Sequence, residues 1–485
     1  MPSSPFPLPG RLSGRLLLLA LASCLSACAH QARIPSVLPD TPRTHLQDDP
    51  TLPSQPLPAK WWQLLQDPQL DALMEQAMAG NLDLQLAASR VAASRAQAGL
   101  ADAASQIQLG AQAGYNRNAN SAHSPLVRLG APTRPYDLWQ VGLQSSWELD
   151  LWGYLQQQQR AAQANAQAAY FGAQATQVAV LANVAQHYLL LRHSQRAATL
   201  NSQLLQLSQQ QSKLLQSRQA QGLIGAAPLE RAQALTAQLQ AKQQALTLQT
   251  ARLCNALALL LGRNPGELDQ QLGAASSLPL PPDRLAVGLP SSLAHNRPDI
   301  LQAEASLHAA LANVAAAEAD FYPRLTLNAG LESLAFNGHD LGMWNARQFS
   351  FGPALYLPLF NGGRLQQTLA LTQARQQEAA IRYRQTVLQA WHEVDDAAQA
   401  LHSTRASLQQ QQAALAQYQQ AEQHARHAYA EGLSSRLEWL EAQAATTERQ
   451  LALNDARAAV SQSMVALYRS LGGNWPEDKA EAAHD

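Results

Sequence analysis

No proline and no glycine occurs from Arg364 to Glu431. Within that run, apolar residues fall at Val387, Trp391, Val394, Ala398 and Leu401, then at Leu408 and Leu415. The steps alternate four and three, and Arg405 and Gln412 fill the two gaps. This is a heptad seam, which requires a neighbouring helix. The spacing predicts one helix to about Ala430, on the order of 100 Å long at about 1.5 Å per residue. A compact domain has no need of such a rod, whereas a tube crossing a wide space does. Glu431-Gly432-Leu433-Ser434-Ser435 then stops the helix, because Gly432 can take the left-handed conformation that closes it. Ser435 with Glu438 is a capping box that opens a second helix.

The same design occurs about 210 residues earlier, the offset from Gln221-Gly222-Leu223 to Glu431-Gly432-Leu433. Ala232-Gln233-Ala234 matches Ala442-Gln443-Ala444, and Leu261-Gly262 matches Leu471-Gly472. Trp147 to Gly153 matches Tyr356 to Gly362. Four matches near one offset indicate an internal duplication of a whole helix–turn–helix unit. Residues 153–262 are then the first long pair, turning at about 222–227, with Pro228 suited to the first helical turn. Its seam is Leu181, Val184, Tyr188, Leu191, Ala198 and Leu205.

Between the helical pairs the periodicity changes to two. Ile107, Leu109, Ala111, Ala113 and Tyr115 alternate with Gln and Gly, as do Trp139, Val141, Leu143, Trp147 and Leu149 with polar or small residues. These are strands, at about 106–116 and 137–151, each with an apolar and a polar face. A second pair falls at about 324–335 and 348–360. In a membrane barrel the apolar face meets lipid and the polar face lines water. Tyr115, Trp139 and Trp147 lie near strand ends, as an interfacial girdle requires. Four strands cannot close a membrane barrel, and an open edge cannot sit in lipid. The strands must be pooled, and three chains would supply twelve.

The remaining segments fit this plan. Arg11 and Arg15, an apolar run Leu16–Ala22, and Leu25-Ser26-Ala27-Cys28 form a signal sequence over 1–27. Its last four residues resemble a bacterial lipobox, which makes Cys28 the lipidated N-terminus; an ordinary signal peptide with an incidental Cys is the other reading. A Pro-rich tether spans 28–59, and folding begins near Lys60-Trp61-Trp62. Helices are expected from about Asp67 to Ala79 and Leu82 to Ala103, the latter with Leu82, Leu86, Ala93 and Ala96 on one face. The first repeat is 60–265 and the second 266–472. The second has a Pro-rich connection to about 290 and a helix from Arg297-Pro298-Asp299-Ile300 to about Phe321; 473–485 are a flexible tail. No other apolar run reaches the roughly 20 residues of a membrane helix.

The ordered set Leu25-Ser26-Ala27-Cys28, Trp61-Trp62, Asp67-Pro68-Gln69-Leu70, Asn81-Leu82-Asp83-Leu84, Arg297-Pro298-Asp299-Ile300, Phe321-Tyr322-Pro323 and Phe360-Asn361-Gly362-Gly363, with the paired Gly-Leu turns, resembles the outer membrane efflux protein family. Its TolC/OprM-like, NodT-type lipoprotein branch fits best. The resemblance implies a mainly α chain with a small transmembrane β part. It implies a homotrimer, with a twelve-stranded outer-membrane barrel, four strands per chain, continued by a periplasmic helical barrel. The implied partners are a periplasmic adaptor, an inner-membrane RND-type pump and outer-membrane lipid. The implied function is a passive conduit exporting small toxic compounds or drugs from a Gram-negative periplasm. A channel for type I protein secretion, or a structural coiled-coil surface protein, are the alternatives.

The resemblance also implies site residues. Gly222-Leu223 and Gly432-Leu433 become the adaptor-contacting tips. Leu437 and Glu441, four apart on one helix face, become an apolar constriction and an acidic ring at the closed periplasmic gate. The family often carries Asp at the second position, and Glu441 is one methylene longer. Arg231 matches Glu441 in the duplicate, so an Arg231–Glu441 pair between hairpins can latch the tip.

No catalytic constellation is present: no Gly-x-Ser-x-Gly, no phosphate-cradling loop, no Cys pair at zinc spacing. No cofactor and no enzymatic activity are implied. A net charge of −1, with 14% charged residues, argues against a nucleic-acid partner. His424 and His427 are three apart but have no third ligand, and Cys254, on an apolar helical stretch, reads as a packed thiol.

Overall fold

A computed structural model describes residues 51–473, apart from 54, 56, 275–276 and 288–296. Helix α1 is Pro68–Gly80 and α2 is Leu82–Ala103. Strand β1 is Gln108–Asn118 and β2 is Tyr136–Leu149. The long hairpin α3–α4 is Tyr154–Ala220 and Ala226–Leu260. Then come α5 (Pro298–Ala319), β3 (Arg324–Ala335), β4 (Arg347–Tyr356) and the second hairpin, α6 (Arg364–Ala430) and α7 (Arg436–Ser470).

The duplication is visible element by element. α3 and α6 each have 67 residues, α4 and α7 each 35, and α2 and α5 each 22. At about 1.5 Å per residue, α3 and α6 are each about 100 Å long. Their ends obey one rule. Leu223 N–H donates to Arg218 O and Gly222 N–H to Gln219 O; Leu433 N–H donates to Ala428 O and Gly432 N–H to Tyr429 O. Each is a Schellman closure around a glycine with φ of +71° or +73°.

The helices pack as strips. α3 packs on α2, α4, α5 and α7, and α6 packs on α5 and α7. Val387, Trp391, Val394, Ala398 and Leu401 are buried as the seam requires, and Leu408 and Leu415 are half-buried. The α3 seam departs from the sequence reading. Leu181, Val184, Tyr188 and Leu191 are buried, but Ala198 and Leu205 are only half-buried. Below Leu191, polar residues also face the partner helix. Ser194 Oγ meets Thr250 Oγ1 at 3.1 Å, Asn201 Nδ2 donates to Gln243 Oε1 at 2.8 Å, and Ser208 Oγ meets Thr236 Oγ1 at 2.7 Å. These rungs are seven residues apart on each helix, so an apolar-only count misses them.

A belt of polar contacts holds the helices together at mid-length. Asp67 caps α1, accepting from Gln69 N–H at 2.9 Å, and also accepts from the Tyr188 hydroxyl at 2.6 Å. The buried Arg192 guanidinium donates to Gln69, Gln195, and the Ala274 carbonyl at 2.8 Å. At both strip joints, the residue before a short helix ties down the end of a long one. Asn81 Nδ2 donates to Leu260 O at 2.7 Å, and Arg297 Nη1 to Ser470 O at 2.6 Å.

Several expected limits move. Packed structure is already present before Lys60: Leu52 is buried, and Thr51 O accepts from Leu285 N–H at 3.1 Å. Arg405, one of the seam gaps, donates to Thr51 Oγ1 at 2.9 Å and Pro282 O at 3.0 Å, so the seam is interrupted where this arm crosses α6. β4 ends at Tyr356 rather than near 360, because its partner β3 begins at Arg324, opposite Tyr356. α5 ends at Ala319, two residues before Phe321. The Pro-rich connection contains a short helix, Asp269–Leu272, whose last residue is buried. The expected face of α2 is uncovered: Leu82 and Leu86 are exposed, and α2 meets α3 by its other side. Cys254 is buried, and burial pushes its thiol pKa up, as suits a packed thiol.

Candidate functional site

The four strands form one antiparallel sheet in the order β1-β2-β3-β4. Its register sorts the side chains into two faces. The pairs Ala111↔Leu143, Leu143↔Leu331 and Leu331↔Phe349 line up an apolar row, and Leu109↔Ser145, Ser145↔Ala329 and Ala329↔Phe351 line up the next. Phe349, Phe351, Leu331 and Leu143 are all exposed. The alternate rows are Gln112, Gly142, Glu332, Gln348, and Gly110, Gln144, Gly330, Ser350. One face therefore suits lipid and the other water. Glu332 lies flat along the polar face, held by Gln140 at 2.5 Å and by Gln348. Gly142 makes room for it, since a Cβ there would lie 2.5 Å from Glu332 Cβ.

Aromatic rings mark both ends of the sheet. At the loop end Tyr115 packs on Trp139 with centroids 4.5 Å apart, and Tyr136 on Phe336 at 5.7 Å. At the helix end Trp147 Nε1 donates to Ser105 O at 3.1 Å, and Trp152 stacks on Tyr322 at 4.9 Å. Eight residues separate Trp139 from Trp147, about 27 Å along a strand. That is of the order of the apolar band of an outer-membrane barrel. Among the described residues, no helix is long and apolar enough to cross a membrane.

At the far ends of the long hairpins the two tips differ. Leu223 and Leu433 are both exposed beside their glycines. The second tip is braced. Ser435 caps α7, accepting from Glu438 N–H at 3.4 Å, and Tyr429 stacks on Trp439 with centroids 5.4 Å apart. The first tip has Gly225 in place of the capping serine, and Gln219 and Leu229 at the aromatic positions. The Tyr429–Trp439 clasp was missed in sequence; two aromatics bracketing a Gly turn, ten residues apart, are the signal.

Leu437 is half-buried and Glu441 exposed, one turn apart near the start of α7. Arg231 is exposed on α4, and its Nε reaches Ala227 O at 3.4 Å. α3 packs on both α4, which carries Arg231, and α7, which carries Glu441. His424 and His427 are exposed on α6, and no metal-holding cluster is found among the described residues. Cys28 lies outside the described residues.

The family described as "Outer membrane efflux protein" matches this chain over residues 73–263 and 289–473. The chain is 32% identical to the pyoverdine export outer membrane protein OpmQ of Pseudomonas aeruginosa, over 87% of this chain and 88% of that protein. It is also 32% identical to the cation efflux system protein CusC of Escherichia coli K12, over 70% of this chain and 72% of that protein. The solved structure of the outer-membrane channel OprN superposes with a TM-score of 0.81 at 28% identity, covering 90% of this chain and 98% of that one.

Proposed function

The chain belongs to the outer membrane efflux protein family and is an outer-membrane efflux channel; from that premise we propose that it works as the passive trimeric exit duct of a tripartite pump. One observation carries the reading: a four-stranded sheet with a lipid-suited and a water-suited face, and two unpaired edges, β1 and β4. A lone chain cannot place those edges in lipid. Three copies closing head to tail supply twelve strands, and the four helical strips of each chain supply a twelve-strip tube.

The exposed apolar residues support this closure. They gather on the elements at the two ends of the wall: Leu82, Leu86 and Leu100 on α2, Leu248 and Leu259 on α4, and Leu371, Ile381 and Leu388 on α6. The tube carries solute from the hairpin tips to the barrel. A periplasmic adaptor docks at Gly222-Leu223 and Gly432-Leu433, and an RND-type inner-membrane pump supplies the energy. The cargo is small toxic compounds or drugs. Relatives of equal identity carry names for pyoverdine and for cation export, so identity alone does not select the cargo. The polar face of the sheet carries Gln112, Gln144, Gln348 and Ser350 beside Glu332, a lining that suits a duct whose pump does the selecting.

Native mass spectrometry of the detergent-purified chain, followed by planar-bilayer recording, tests the reading. The expected result is a mass of three chains and discrete single-channel currents. A monodisperse monomer that keeps its strand content, or a trimer that conducts nothing in any variant, would overturn it.

A further inference from the structure

The register that sorts the sheet into two faces also fixes which residue of the lipid-suited face stands last at each strand end. At the helix end these residues are Leu109, Leu149, Leu325 and Leu355, on β1 to β4 in turn. At the loop end they are Arg117, Asp137, Ala335 and Arg347. One border of the face is four leucines, and the other carries two arginines and an aspartate. The charges near the helix end lie in the alternate, water-suited rows, where Glu148 and Arg324 stand.

An arginine on the lipid face of a barrel is costly at the bilayer centre and nearly without cost at its edge. Tyr115 packs on Trp139 one row below Arg117, and such rings mark that edge. Arg347 is exposed, stacks on the ring of Trp344 and forms no ion pair among the described residues. Arg117 is exposed and meets Asp137 through one nitrogen, Nη1 to Oδ1 at 3.3 Å. The same oxygen accepts from the Tyr115 hydroxyl at 2.9 Å. Asp137 thus positions Arg117, and the donors on Nε and Nη2 are left over.

The rest of this border is also basic. The β1–β2 loop adds Arg128 and Arg134, both exposed, and has no acidic residue from Asn118 to Tyr136. The one acid of the β3–β4 loop, Asp340, is held by His339 at 3.0 Å and by Asn337 at 3.3 Å. Next to Arg347 along β4, the same face carries Phe349 and Phe351, 79% and 77% exposed. An apolar stripe that ends in a cation complements an acyl chain that ends in a phosphate.

In the duct reading above, the helices lead into the periplasm and the loop end meets the outer leaflet. Resting on that reading, we propose that Arg117 and Arg347 form a binding site for the phosphorylated glycolipid of the outer leaflet. Its phosphate groups take charge-assisted hydrogen bonds from the two guanidiniums, whose planar forks match phosphate oxygens. Its acyl chains lie along Phe349 and Phe351, and Arg128 and Arg134 add positive charge at the same rim. The leucine border offers the inner leaflet no such group, so phospholipids there are held by apolar contact alone.

Native mass spectrometry of the full-length, detergent-purified chain with added lipid tests the site. The probes are lipid A with two phosphates, lipid A with one, and phosphatidylglycerol. Retention by the parent chain should fall in that order. Arg117→Gln and Arg347→Gln should each raise the lipid A concentration needed for half-retention about fivefold, the effect of one cation beside an anionic membrane surface. Unchanged retention in variants that stay trimeric and conduct like the parent puts the lipid on the apolar face alone and overturns the site. Should a variant fail to fold, the parent chain decides. Equal retention of the three lipids by a trimeric, conducting parent overturns the site and leaves the duct standing. A parent that is neither trimeric nor conducting removes the duct reading, and the site with it.

Discussion

Tyr468 is fully buried near the end of α7, stacked on Trp61 at 5.6 Å, with its hydroxyl donating to Ala286 O at 3.0 Å. Burial pushes its pKa up from 10.0 to about 12. The folded state therefore keeps a proton that the unfolded state releases above pH 10. Stability from this group is intact below about pH 10 and falls as pH rises towards 12. Tyr188 is displaced the same way, first by burial and then by donating to Asp67. Tyr468→Phe should lose about 1 kcal/mol at neutral pH, the ordinary worth of a buried hydrogen bond. It should also flatten the alkaline limb of a melting-temperature–pH curve. An unchanged limb would show that the phenol does not titrate with unfolding. A second residue-scale expectation is that Cys28 carries lipid, which adds membrane affinity through its chains. Mass spectrometry of the mature N-terminus should show it, and Cys28→Ala should lose lipid yet still assemble, because the barrel is a separate anchor. An unmodified residue 28, or cleavage elsewhere, would refute the assignment.

At the scale of elements, the helix Arg364–Ala430 was legible, its end expected at about Ala430, because helix breakers are local. Gly432 and Ser435 act through their own backbone and side chain, and neither needs a partner to be recognised. Strand ends were less legible for the opposite reason. Whether Leu357 is strand depends on what stands opposite, and within the chain β3 begins at Arg324, opposite Tyr356, and offers it no partner. The polar rungs at Ser194, Asn201 and Ser208 were hidden because periodicity was read from apolar residues alone. Of the site residues, the tip glycines were readable from turn chemistry, whereas Glu332 was not. Its setting requires Gly142 and Gln140 from one strand and Gln348 from another. The tips carry their own prediction. Leu223 and Leu433 enter the two closures through their backbone N–H groups while their side chains are exposed, so the side chains are not needed for the closure. Leu223→Asp with Leu433→Asp should leave trimer yield unchanged and abolish export, read as restored drug sensitivity in a deletion strain. Normal export in that variant would remove docking from the tips.

At the scale of the whole molecule, the gate is a question about three hairpin pairs meeting on an axis. Arg231 on α4 and Glu441 on α7 are both exposed, and α4 and α7 both pack on α3, so a latch between neighbouring hairpins would draw on groups free to meet in the assembly. One exposed Arg–Glu pair is worth about 0–1 kcal/mol. Three such pairs broken together sum to at most about 3 kcal/mol, and about 1.4 kcal/mol already changes a two-state population tenfold. The trimer can thus be held shut by contacts that would be negligible singly. Leu437 is one turn before Glu441 and only half-buried, and three copies of it on the axis would add an apolar ring that disfavours a water column through the tip. Leu437→Ala with Glu441→Ala should therefore raise single-channel conductance in planar bilayers. Arg231→Glu and Glu441→Arg should each raise it alone, and the two combined should return it towards the parent value, because the pair is restored with its charges exchanged. If the double reversal stays as open as either single change, the residues act independently and the latch is absent. Should every variant conduct like the parent, the tip is closed by helix packing elsewhere, with the Tyr429–Trp439 clasp the next place to cut.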